Sequence, residues 1–281
     1  MAVSTIPFAL AAALLGQAAA AAEPEPAAPP KIVEGVTVQA PDKPLDGRVR
    51  EFVGGALGHR LDGSIVRWRD PICPLVSGLP GPMGEAILVR LSEVARRVEA
   101  PLAGPDCRPN LYVMVHRQPR ALLEGWRRRD GRLFGEASPE AVRRIIESDQ
   151  PVRAWHNWRY EEPGLPRASR LVRNVVRNTT SAIVVVDARR LDGVTVAQLA
   201  DYVAMVGLVE MQPDIETRRA ATILALFEEA REPPPGLTRW DEALLHGAYS
   251  TPQENVLQRS AIARKVLREA SREEPPEEAP P

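Results

Sequence analysis

The chain is expected to fold as an α+β protein: a mixed sheet with packed helices, plus further helices at the C-terminal end. Three observations lead there. Residues 181–187, Ser-Ala-Ile-Val-Val-Val-Asp, form an apolar, β-branched run of strand length. Residues 195–206 follow with Val196, Leu199, Val203 and Val206 at helical spacing. Strand and helix patterns mix along the chain without a regular βαβ rhythm, and three helical segments close it, which favours α+β over a doubly wound sheet.

At 281 residues the chain has room for one good-sized core or two small ones. Its 44% hydrophobic and 26% charged residues are those of an ordinary globular protein. The formal net charge of −1 provides no global field toward nucleic acid, and none is expected as a partner. Arginine carries nearly all the positive charge, since Lys31, Lys43 and Lys265 are the only lysines.

The first 22 residues contain no charged side chain, and a run of small residues ends at Ala22, before Glu23. Length and ending match a cleaved signal peptide, although the usual basic n-region is missing. The alternative is a disordered or membrane-anchoring N-terminus, but the apolar run is short for a span. Residues 1–22 are therefore read as a signal peptide and Ala22/Glu23 as its cleavage site. A periplasmic or secreted location, with no transmembrane span in the mature chain, follows. Residues 23–47, rich in Pro, Ala and Glu, read as a disordered linker. Residues 48–270 are left for a single α+β domain, and 271–281 read as a disordered acidic, proline-rich tail.

Within the domain, residues 48–57 suggest a short helix with Val49, Phe52 and Val53 on one side. Residues 65–69 alternate and read as a strand, and the prolines and glycines of 71–82 as a loop. Residues 85–98 repeat apolar side chains at three and four, an amphipathic helix. Residues 111–116 read as a buried strand. Residues 119–130 and 138–147 read as helices, the second with Ser138 as cap and Pro139 in its first turn. Residues 152–160 alternate as a strand. Residues 171–178 and 181–187 form either a hairpin or one long strand kinked at Asn178, Thr179, Thr180 and Ser181. Thr195 and Gln198 have capping-box spacing, and Gly207 reads as the helix stop. Helices are expected over 215–230, from Thr238 with Asp241 as its capping partner, and over 255–270.

Cys73 and Cys107 are the only cysteines. In an exported protein two cysteines point to one disulfide; the alternative is two separate buried thiols. No Cys-x-x-Cys pair or nearby histidine suggests a metal site there.

The strand 181–187 and the helix ending in Gly207 and Leu208 resemble the centre of a zincin metalloprotease of the metzincin type, as does the element order before them. In that family the helix carries His-Glu-x-x-His, with both imidazoles on one face to hold zinc and the Glu beside them to activate water. With the register set on Gly207, this chain has Ala200 and Ala204 at the histidine positions, Asp201 at the glutamate position and Glu210 at the third ligand. The resemblance thus implies a degenerate core without zinc ligands. A looser resemblance is to uncharacterised exported bacterial proteins. It rests on residues 107–110, 236–241 and 258–263, and it implies no reaction.

His156 lies between Trp155 and Trp158 and could face a ligand or simply pack; a lone histidine more often packs. His59, His116 and His246 do not gather into a site. No Gly-x-Ser-x-Gly elbow and no phosphate-binding glycine loop is present, and no cofactor is expected. Two arginine groups remain: Arg117, Arg120, Arg127, Arg128, Arg129 and Arg132, then Arg167, Arg170, Arg173 and Arg177. With the nearby tryptophans they could bind an anionic envelope component, or they could form a solvated face paired with glutamates, the favoured reading. A protein partner is the other candidate. The expectation is an exported envelope protein with a non-catalytic binding or structural role. The alternative is a hydrolase using Asp201, Glu210 and His156.

Overall fold

Residues 182–186 are apolar without a break because both faces of their strand are covered. The protein, seen in a computed structural model, is described over residues 43–57, 64–162, 175–229 and 231–273. The expected signal peptide with its Ala22/Glu23 junction, most of the linker, His59, Arg167, Arg170, Arg173 and nearly all of the tail lie outside these residues.

The fold is α+β. Among the described residues the helices are α1 (Leu45–Ala56), α2 (Gly81–Arg97), α3 (Pro119–Arg129), α4 (Pro139–Glu147), α5 (Val196–Leu208), α6 (Arg239–Ser250) and α7 (Gln258–Glu273). The strands are β1 (Pro74–Ser77), β2 (Leu111–His116), β3 (Val152–Glu161) and β4 (Val176–Asp187), in the sheet order β1-β2-β4-β3. β1, β2 and β4 run parallel, and β3 is an antiparallel edge. No helix among the described residues is long and apolar enough to cross a membrane.

Alternation along the strands divides the core in two. Leu111, Val113 and Val115 of β2 and Ala182, Val184 and Val186 of β4 join the main core, with side chains of α1, α2, α5, α6 and α7. Ile183 and Val185 face the other way and pack with Leu123 of α3, Ile146 of α4, Phe134 and Trp155. Ser138 caps α4 by accepting from the Ala141 N–H, as its position suggests. Arg153 of β3 closes the other end of α4 by donating to the Ser148 carbonyl.

Several expectations need correction. Residues 65–69 do not form a ladder strand. Only Arg67 pairs, in single bridges to Asn178 and Val209. The 71–82 loop contains β1, which survives on its pairing with β2 although Leu75 is exposed, and α2 already begins at Gly81. Helix α1 opens at Leu45, inside the segment read as linker, and α7 runs three residues into the segment read as tail. The register of β3 with β4 shifts after Asn157, where Thr180 is the extra residue of a bulge in β4. That bulge is the expected kink, so 176–187 is one strand, and residues 171–174 fall outside the described set. The 215–230 helix is absent. It is replaced by a single 3₁₀ turn, Ile223–Ala225. Thr222 is extended there, and Asp241 takes the Thr222 hydroxyl (2.6 Å) and the Ile223 N–H (2.7 Å), fixing a short turn where a long helix would start.

Cys73 and Cys107 are bonded, with Cα atoms 5.9 Å apart. Each lies just before a strand, and the bond ties the approaches to parallel neighbours β1 and β2 together.

Candidate functional site

Helix α5 holds the residues singled out for chemistry. Thr195 and Gln198 form the expected reciprocal capping box at its start. Its other end is not the glycine stop expected. Gly207 is helical and has no positive φ, and the helix continues to Leu208. Glycine serves a different need. A Cβ at 207 would lie 3.2 Å from Leu111 Cδ1 and 3.4 Å from Cδ2, so a side chain would push into β2.

A buried helix end must satisfy its last carbonyls. Here three side chains from three other segments do so. Val206 O accepts from His156 Nε2 of β3 (2.9 Å), Gly207 O from Trp68 Nε1 (2.9 Å), and Leu208 O from the Tyr249 hydroxyl of α6 (2.5 Å). Because a carbonyl only accepts, His156 carries its hydrogen on Nε2. Nδ1, 3.2 Å from Thr179 Oγ1, is then the acceptor for that hydroxyl in the neutral ring. His156 is buried, with its ring 6.3 Å from Trp68.

Asp201 is equally committed. Its side chain is 1% exposed. Arg90 of α2 donates from Nε (2.7 Å) and Nη2 (3.0 Å), and the Leu237 N–H donates to Oδ2 (2.9 Å). The carboxylate lifts the Arg90 pKa further above its ordinary value, chiefly through those hydrogen bonds. Gly236 permits the approach, since a Cβ there would meet Oδ2 at 2.6 Å. Asp201 thus joins α2, α5 and the entry to α6. It makes no hydrogen bond or ion pair with His156 or Glu210. Val206, which receives His156, lies about 7.5 Å further along the axis and about 140° around it by ideal helix geometry. Glu210 is half-buried beyond the helix, its backbone N–H donating to Val66 O (3.1 Å). Ala200 and Ala204 are completely buried. No group of three or more His, Cys, Asp or Glu side chains among the described residues could hold a metal ion.

The arginine groups divide. Arg120 pairs with Glu124 and Arg132 with Asp130, while Arg117, Arg127, Arg128 and Arg129 stand exposed on or near α3. Arg177 lies 4.6 Å from the Trp158 ring and 5.2 Å from the Tyr160 ring, and donates to Tyr160 and Ser64. Beside it, Arg69, Arg159, Asp70, Glu161, Asn178 and Glu254 bind one another at the start of β4. Trp155 stacks on Phe134 and donates to Leu133 O, so it is a core residue.

Comparison with known protein families, with curated proteins and with solved structures finds no match for this chain.

Proposed function

We propose that this protein is an exported module of the bacterial envelope whose role is binding or structural rather than catalytic, built on a degenerate metalloprotease-like core. The observation that carries the reading is the commitment of the buried Asp201 carboxylate to structural donors. A carboxylate that activates water needs a free oxygen facing the substrate, and both oxygens of Asp201 are held by Arg90 and the Leu237 N–H. His156 supports it, because a ring with both nitrogens engaged has neither a lone pair nor a proton to lend without releasing Val206 or Thr179. The charge-free first 22 residues and the Cys73–Cys107 bond fit an oxidising compartment.

The test is elemental analysis of the full chain purified without chelator. Less than a tenth of an equivalent of any transition metal is expected. One zinc per chain would overturn the reading and favour the alternative of a hydrolase using Asp201, Glu210 and His156. N-terminal sequencing of the exported protein should begin at or near Glu23, and an intact Met1 would contradict export by cleavage.

A further inference from the structure

We infer that the groove between α6, α7 and the end of α2 is a binding site for a small, water-soluble polyanion bearing phosphate or clustered carboxylate groups. This rests on the binding reading above and names its ligand class. The groove encloses about 440 Å³, within the range of small-molecule sites. Its floor is apolar, from Val98 and Ala243. Its walls are charged because two helices turn one face each toward it: positions 239, 242, 243 and 246 of α6, and 265, 268 and 269 of α7.

The charges are unbalanced. Of the two lining carboxylates, Glu242 is held by Arg97 and Glu269 by Arg272. Lys265 donates only to the Ser250 hydroxyl, and Arg268 makes no ion pair among the described residues. Two cations therefore face the groove without a carboxylate, and an anion between them would gain charge-assisted hydrogen bonds. Arg268 is exposed, and Lys265 is half-buried with its ammonium in an exposed hydrogen bond to Ser250. The two cations line a concave groove between helices rather than a flat face, which suits a small soluble ligand.

The rim carries a second unusual feature. Helix α2 ends in a Schellman cap, with Ala100 N–H on Ala95 O (2.8 Å) and Glu99 N–H on Arg96 O (3.2 Å). The left-handed position of that cap, φ +62°, is filled by Glu99 instead of glycine. Its carboxylate stands 3.8 Å from His246 Nε2, at the groove's edge.

The probe is pyrophosphate, titrated calorimetrically into the full chain at low ionic strength, with Lys265→Ala/Arg268→Glu and the control Arg128→Ala. One saturable site is expected, at least tenfold weaker in the double variant and unchanged in the control, with all three proteins melting alike. The inference is overturned by no saturable binding to the parent protein, by equal binding to the double variant, or by an equal loss in the control, which would mark diffuse charge. Metal content separates the two claims. Failure at the groove leaves it unchanged, whereas a zinc-loaded chain would sink the non-catalytic reading even with groove binding intact.

Discussion

Arg90 grips Asp201 with two hydrogen bonds, joining the middle of α2 to the middle of α5. The acid is buried and the arginine about one-third exposed, so the pair spans the boundary between core and solvent. That position gives Asp201 a structural task. Its carboxylate also receives the Leu237 N–H and so fixes the turn that leads into α6.

Asp241 gives the protein an unusual pH response. Burial pushes its carboxyl up to about 6, against hydrogen bonds from Thr222, Thr238 and the Ile223 N–H that pull it down. An unfolded aspartate titrates near 3.9, so between these values the native state binds more protons than the unfolded state, and stability falls as pH rises. The contribution is complete below about pH 4 and is lost as pH climbs through about 6, on the order of 3 kcal/mol. Glu216, held down to about 2 by Arg218, and Asp187, lowered by Arg189, act oppositely and lose their contributions as pH drops below about 4. Denaturant melts from pH 5 to 7.5 should show the parent protein weakening more than Asp241→Asn.

The carbonyls at the end of α5 should each depend on their donor. His156→Ala leaves Val206 O without its imidazole and should destabilise by about 1–3 kcal/mol for the orphaned acceptor, with cavity formation added. Trp68→Phe keeps most of the ring volume but removes the donor to Gly207 O, and should fall in the same ~1–3 kcal/mol range. Urea unfolding of both variants checks this; two changes below 0.5 kcal/mol would contradict the capping role.

Glu99→Gly should stabilise the fold by about 0.5–1 kcal/mol, because glycine takes the left-handed cap position without steric penalty. A lower melting temperature would show that the Glu99 contact with His246 outweighs the backbone strain.

Much of the architecture is legible in the sequence. The β-branched run of β4, the strand β2 and the two capping boxes are local signals, and each element begins or lies where its own residues place it. The disulfide was legible as an expectation, since the chain's two cysteines come with a sequence that reads as exported. What escaped the sequence was decided by distant partners. Gly207 has the look of a helix stop, but Leu111, far away in the chain, requires it to be small. Ile223, Leu224, Leu226 and Phe227 have helical spacing, yet Asp241 fixes the backbone ahead of them. The separation of Asp201, Glu210 and His156 has a similar cause. Nothing near Asp201 in sequence reveals that Arg90 and Leu237 will occupy its oxygens.

Reduction of the Cys73–Cys107 bond should lower stability by about 3–4 kcal/mol on the chain-entropy model, given its separation of 34 residues. Alkylation of the untreated, denatured protein should label no thiol, and labelling of both cysteines would contradict the bond.

The central claim, that Asp201 is part of the framework and not of a catalytic apparatus, is tested most directly by a double-mutant cycle. Arg90→Ala, Asp201→Ala and the double variant would be unfolded in urea beside the parent protein. Removing the arginine strands a buried charge, so that single variant should lose about 3 kcal/mol, tempered by its partial exposure. The cycle should return a coupling of about 1–3 kcal/mol. A coupling near zero, with Asp201→Ala as stable as the parent, would contradict the account and leave the carboxylate free for chemistry.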